Sequence, residues 1–336
     1  MPSLPVAVDA SAGKRVWISW NRQRRNIGLA RSVNATLYMS ELRLPRCFRL
    51  VAECFNSWMI ILREKPDICF VMNPSIFASW WMARLKKVYG FVLVTDLHTV
   101  NIRLEGLDEK IFLYFFRKGL RGSDVVIVTN PLYRQEILPF NQQVVCIPDQ
   151  LPRLRSGSVC AKGLVAEGKG QVPLLVVSSC AEDEPLDELV SLDNELSPFH
   201  LYITGNWEKR YKTPPTTRHI TFLGYVADDV YDELLHTVDG IIVLTTVEGC
   251  LCCGAYEALA AEKPLILSNT RALQDFFEDG PIYTEHEPAA LMAAIKQLGR
   301  EKTERRQKMI ALKANIQRKF DQSVAQLEEL LCKSFC

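Results

Sequence analysis

The residues best suited to chemistry lie between Gly240 and Asn269, in the run GIIVLTTVEGCLCCGAYEALAAEKPLILSN. An apolar strand ends at Leu244, a loop carries Glu248, Gly249 and Gly254, and a helix is expected from Ala255 with Glu257 in its first turn. Glycines let the backbone approach a ligand closely. The first amides of a helix lack intrahelical partners and lie at its positive end, which suits an anion such as a diphosphate. A carboxylate accepts through two oxygens, so Glu257 can take both hydroxyls of a ribose. An ordinary βα unit uses the same residue types, with the glutamate serving only the helix dipole.

A second group of candidates follows other strands. Asp96-Leu97-His98-Thr99 comes after the strand Phe91–Val94, where a strand delivers residues to a cleft. His98, with an ordinary pKa of about 6.5, suits a hydrogen bond to a ligand or the uptake of a proton. Asp96 would orient His98 or act as the base; a purely structural histidine is the alternative. Arg24 and Arg25, after the first strand, would meet an acceptor phosphate or lie on a helix surface. Lys209, Arg210 and Lys212 offer cations for an anionic ligand, or form a solvated loop. Cys250, Cys252 and Cys253 crowd the glutamate loop, but zinc would need two further ligands that the sequence does not supply. A redox-sensitive thiol at the helix start or small buried side chains are the two remaining readings.

These candidates need strands and helices to hold them. Short apolar strands are expected at Arg15–Trp20, Ile68–Met72, Phe91–Val94, Asp124–Val128, Val144–Ile147, Leu174–Val177, Leu201–Thr204, Ile220–Leu223, Gly240–Leu244 and Pro264–Leu267. Helical spacing separates most of them, as in Cys47–Arg63, Ser75–Val88, Asp108–Leu120, Ala227–His236 and Ala255–Glu262. Three helices, Pro288–Leu298, Glu301–Arg318 and Gln322–Leu331, are expected to end the chain. This alternation predicts an α/β protein with parallel sheets covered on both faces. The pattern pauses at 151–171, which is rich in glycine and serine and reads as a linker. It divides residues 1–150, an N-terminal Rossmann-like domain, from 172–320, a C-terminal Rossmann-like domain whose glycine-loop helix would hold a nucleotide. Residues 321–336 form a last helix that would pack back toward the first domain.

Composition narrows the class. The chain has 336 residues, 48% hydrophobic and 24% charged, which fits a globular protein and excludes a disordered one. Residues 1–150 carry 20 basic against 12 acidic side chains, and the rest carry 20 against 27. A basic first half faces something anionic, such as a membrane or a phosphorylated acceptor, or else complements the acidic half. The helices at Cys47–Lys65, Trp80–Lys87 and Lys110–Arg121 mix aromatic and basic residues, as membrane-docking helices and ordinary domain helices both do. Apolar runs stay well below the roughly 20 residues of a membrane span, and residues 1–10 lack the pattern of a secretory signal. A cytoplasmic protein with reduced thiols is expected.

The run from Gly240 to Asn269 resembles the donor-site motif of GT-B glycosyltransferases of the group 1, family-4 kind. The closest match is Tyr256-Glu257-Ala258-Leu259-Ala260 with Lys263-Pro264-Leu265-Ile266. The resemblance implies that Glu257 holds the nucleotide ribose, that Glu248 contacts the donor sugar or its leaving side, and that amides around Cys253, Gly254 and Ala255 hold the diphosphate. Eight residues separate Glu248 from Glu257, where the usual motif has seven. Val176-Val177-Ser178-Ser179 with Glu182-Asp183-Glu184 resembles the start of the donor domain in β-mannosyltransferases of lipid-linked oligosaccharide synthesis. Phe222–Val226, with Gly224 and Tyr225, resembles the turn beside the nucleobase. Relatives often carry an Arg and a Lys after the first donor-domain strand; that loop is acidic here, so Lys209 and Arg210 are the nearest substitutes. The resemblance implies a GT-B fold with two Rossmann-like domains facing a cleft. It further implies transfer from a UDP- or GDP-sugar to a saccharide or lipid-linked acceptor, with no metal and no other cofactor. Cell-surface polysaccharide or glycolipid synthesis is the expected setting. A silent transferase-like subunit that binds a partner enzyme, or a nucleotide-sugar epimerase, are the alternatives.

Overall fold

The computed structural model describes residues 13–40, 42, 44–72, 76–97, 107–155, 165, 170–213 and 215–333. The chain divides into two compact units, one of Met1–Gln150 with Lys319–Cys336 and one of Leu151–Arg318.

Unit 1 holds a six-stranded parallel sheet in the order β2-β1-β3-β4-β5-β6. Its strands are β1 (Arg15–Ser19), β2 (Thr36–Met39), β3 (Ile68–Met72), β4 (Val92–Leu97), β5 (Val125–Val128) and β6 (Val144–Cys146). The helices between them are α1 (Arg24–Ser32), α2 (Arg46–Glu64), α3 (Ile76–Tyr89), α4 (Leu107–Gly122) and α5 (Pro131–Ile137). Every residue of β3, β4 and β5 is buried, which explains runs that are apolar without alternation. Alternate side chains serve the two faces. Trp17 and Phe70 stack at 5.2 Å on the face that also receives Leu29 of α1. Val16, Ile18, Cys69 and Leu93 point to the other face and meet α2 and α3. Strand β2 is absent from the sequence-based expectation. It lies at the sheet edge, pairs only with β1 and is partly exposed throughout, so it carries no buried apolar run.

Unit 2 repeats the plan in the order β12-β11-β10-β7-β8-β9, again parallel. The strands are β7 (Val172–Val176), β8 (Phe199–Thr204), β9 (Ile220–Gly224), β10 (Gly240–Val243), β11 (Leu265–Ser268) and β12 (Ile282–Thr284). Helices α6 (Leu186–Ser191), α7 (Asp228–Thr237), α8 (Cys253–Ala260), α9 (Arg271–Phe277) and α10 (Pro288–Lys333) complete it. The three terminal helices expected from the sequence are one helix of 46 residues. Gly299 does not break it, because a side chain there would press on the Phe199 ring at 2.8 Å; the glycine admits close packing. The helix leaves unit 2 at Arg318. Beyond that point Phe320, Leu327 and Leu331 are buried in the core of unit 1 with Trp17 and Val33, and Glu328 pairs with Arg15 at 2.6 Å.

Candidate functional site

Strand β7 is where unit 2 changes direction: β8 and β9 lie on one side of it and β10 to β12 on the other. The chain leaving β7 enters α6, which packs on one face of the sheet with Leu174 and Ile242. The chain leaving β10 enters α8, which packs on the opposite face with Leu175 and Val243. Between such diverging loops, at the carboxyl ends of the strands, α/β sheets bind their ligands. Asp183 ties the two loops together. Its carboxylate accepts from the Thr245 hydroxyl at 2.8 Å, and its carbonyl accepts from the Thr246 amide at 2.8 Å.

Helix α8 begins at Cys253, earlier than the sequence predicts, so Glu257 lies one turn inside it rather than in the first turn. Glu257 is buried, and the Tyr231 hydroxyl of α7 donates to its Oε2 at 2.5 Å. Tyr231 is a partner of the candidate residue Glu257 that the sequence reading missed; its position in an ordinary amphipathic helix carries no signal of its own. The neighbouring Tyr256 packs against Phe276 and Phe277 of α9, which fixes the rotation of α8 and with it the direction of Glu257.

The loop glycines divide in their tasks. Gly254 was expected to admit a ligand, and the structure corrects this. A Cβ there would lie 2.6 Å from Val177 Cγ1 and 3.2 Å from Val243 Cγ2, so the missing side chain seats α8 against β7 and β10. Ala255 is also corrected as a phosphate contact: it is fully buried and its amide bonds the Cys252 carbonyl at 3.0 Å. Cys253 is exposed at the helix start, and Gly249 is half-buried in the loop before it. Glu248 is exposed and accepts from the Arg271 amide at 2.6 Å, completing the start of α9 that Thr270 caps. Cys250 and Cys252 bring their sulfurs to 3.8 Å. The hydrogen bond with Cys250 and burial push the Cys252 thiol well up from its ordinary range, which keeps it protonated and makes it a poor nucleophile.

The basic pair after β8 reaches the β7 loop. Gly205 has a φ of 98°, and a Cβ there would meet the Ser178 carbonyl at 2.3 Å, so the β8 loop lies directly on the β7 loop. Lys209 is exposed, and its ammonium donates to the Ser179 carbonyl at 3.0 Å. Arg210 donates to the Glu184 carbonyl at 2.6 Å and faces Asp187 at 3.4 Å, so it braces the start of α6. Glu184 curls back so that its carboxylate accepts from the amides of Ser179 and Ala181 and from the Ser178 and Ser179 hydroxyls. Gly224 closes β9 at a φ of 70°, and Tyr225 beside it is 87% exposed. The structure therefore gathers Lys209, the β7 loop and the start of α8 at neighbouring strand ends of one sheet.

The candidates in unit 1 fare differently. His98 lies outside the described residues, as does the side chain of Arg24. Asp96 is next to last in β4 and has no exposed surface. Arg25 grips it through Nε at 3.0 Å and an NH2 group at 2.8 Å, and reaches Asp149 at 2.6 Å with its other amino group. Burial opposes the guanidinium charge, but Asp96 and Asp149 outweigh it and raise the Arg25 pKa. A carboxylate buried and gripped by Arg25 in this way presents no free face to an acceptor hydroxyl, which corrects the base role expected for Asp96. Arg25 is corrected with it: it is committed to an internal ion pair and meets no acceptor phosphate.

Comparison with known proteins decides what this arrangement belongs to. Residues 184–301 match the model of glycosyl transferases group 1, a span that includes Lys209, Tyr225, Glu248 and Glu257. The chain carries a group 1 glycosyltransferase domain. Around that domain the chain as a whole has the GT-B fold. Sucrose-phosphate synthase from Thermosynechococcus elongatus superposes with a TM-score of 0.70 at 14% identity, over 96% of this chain and 99% of that one. HepE from Anabaena, solved with UDP-glucose, gives 0.69 at 12% identity over 96% and 99%. A Listeria monocytogenes protein described as a UDP-N-acetylglucosamine 2-epimerase gives 0.66 at 10% over 96% and 97%. No curated protein matches the chain in sequence. At these identities the likeness of the solved structures is one of fold.

Proposed function

We propose that this glycosyltransferase moves a hexose from a UDP- or GDP-sugar to a saccharide or lipid-linked saccharide acceptor. The setting is the synthesis of a cell-surface polysaccharide or glycolipid at the cytoplasmic face of a membrane. The observation that carries the reading is Glu257: a buried carboxylate, held by Tyr231, one turn inside the helix at the switch point of the sheet. In this reading Glu257 accepts from the ribose hydroxyls, and the exposed ring of Tyr225 beside Gly224 covers the base. The diphosphate lies over the β7 loop and the start of α8, near Cys253 and Gly249.

Transfer breaks the bond between the sugar C1 and the diphosphate oxygen and joins C1 to an acceptor hydroxyl oxygen, whose proton is lost to the leaving diphosphate or to water. The leaving diphosphate gains negative charge as the sugar ring becomes positive. Lys209, exposed beside Ser179, and the positive end of α8 meet that charge, so the reaction needs no metal in this reading. Turnover that survives a chelator supports that part, and turnover restored only by a divalent cation removes it.

The test of the donor site is calorimetric titration of UDP and GDP into the protein and its Glu257→Ala variant. A charge-assisted hydrogen bond is worth about 1.5–3 kcal/mol, so the variant should bind roughly 10- to 100-fold more weakly while unfolding normally. Affinity unchanged in Glu257→Ala removes the donor site from this pocket. A chain that binds neither nucleotide is a silent subunit. Binding followed by sugar interconversion without an acceptor makes it an epimerase.

A further inference from the structure

One face of the sheet in unit 1 is covered by α2, α3 and α4. Leu93 and Leu97 lie four residues apart on β4 and so point the same way; Leu93 packs with α2 and α3, and Leu97 packs with Phe116 and Leu120 of α4. The helices lie side by side. Trp81 of α3 donates to the Cys54 carbonyl of α2 at 2.9 Å, and Phe77 and Trp80 of α3 meet Phe115 of α4 at 4.7 and 4.9 Å.

Helix α2 is apolar on two sides. Its inner side is buried through Ile61 and its neighbours. Its outer side leaves Phe48 68%, Val51 70%, Phe55 55%, Met59 46% and Leu62 36% exposed. The spacing of three and four residues puts all five in one stripe along a helix of 19 residues, or about 28 Å at ~1.5 Å per residue. Scattered exposed apolar side chains are ordinary, but a continuous stripe marks a docking surface.

Charge identifies what docks there. On the same helical layer Arg84, Lys87, Arg117, Lys118 and Arg121 are exposed. Among the described side chains of the three helices the only carboxylates are Glu53, which is buried, and Glu64, which is paired with Lys14 and Arg63. A second copy of the chain would bring the same basic surface against itself, which like charges oppose. An anionic bilayer complements both the stripe and the charge.

We propose that the outer face of α2–α4 seats unit 1 on an anionic lipid surface, with the α2 stripe in the headgroup region and the α3 and α4 basic residues on lipid phosphates. This deepens the membrane location in the proposed function. It is tested without donor or turnover, so either reading can fail alone. The experiment is flotation of the full chain with phosphatidylcholine vesicles, with and without phosphatidylglycerol. The protein should float with the phosphatidylglycerol vesicles, less so in high salt, and should stay behind with phosphatidylcholine alone. Phe48→Ser with Phe55→Ser, and separately Arg117→Glu with Lys118→Glu, should each lower partition by roughly fivefold or more with an unchanged unfolding midpoint. No flotation with phosphatidylglycerol, or flotation that both variants retain, overturns the proposal. So does a dimer in solution that Phe48→Ser with Phe55→Ser dissolves in a chain that ignores vesicles, because the stripe then joins two copies.

Discussion

At the scale of single residues, a charged side chain near a strand end has two very different uses. Arg25 and Asp96 were legible as charged residues beside a cleft, but not as partners, since 71 positions separate them. Their burial turns them into a structural pair. Replacing Arg25 with Met should leave Asp96 charged and enclosed, and removal of one partner of a buried pair costs about 3–5 kcal/mol. Urea unfolding of Arg25→Met checks this. Adding Asp96→Asn should recover part of the loss, and a double variant no more stable than Arg25→Met would break the argument. Glu257 shows the opposite case. Its residue type, its place after a strand and a glycine loop, and the Tyr-Glu-Ala segment were all readable, while the Tyr231 hydroxyl that orients it comes from another helix.

At the scale of elements, the position of α8 depends on what is absent from Gly254. The glycine stood out in the sequence, but a ligand and a packing neighbour make the same demand for a small residue. The structure assigns the space to Val177 and Val243. Gly254→Ala would force a methyl group into Val177, and overpacking of this kind costs about 1–3 kcal/mol. Because α8 carries Glu257, the shift should also weaken nucleotide binding. Val177→Ala in the same chain should restore both properties, measured by unfolding and by titration; if stability returns and binding does not, α8 position is not what the glycine controls. The long helix α10 was hidden for a related reason. Gly299 falls between two of the three helices expected from the sequence, yet inside the one continuous helix it is the residue that lets Phe199 approach.

At the scale of the whole molecule, one helix serves two cores. Its first part, through Leu291, Ile295 and Leu298, closes a face of unit 2, and its last part, through Phe320, Leu327 and Leu331, closes a face of unit 1. Leu327 has no exposed surface. Leu327→Ala should therefore cost about 2–5 kcal/mol in unit 1 while nucleotide binding, placed wholly in unit 2, keeps its affinity. Hydrogen exchange resolved by segment would read the two effects separately. Protection lost equally in both units would show that they unfold as one.

The amino-acid sequence alone determined the alternation of strand and helix, the parallel buried sheets and the helix that carries Glu257. Each of these depends on residue types close together in the chain, where periodicity and turn chemistry act. Tertiary structure decided which charges pair, which glycines serve packing, where the edge strand β2 lies and which side of α2 stays uncovered. Those outcomes depend on neighbours far away in sequence, and a helix with two apolar sides does not reveal by its own residues which side the sheet will take.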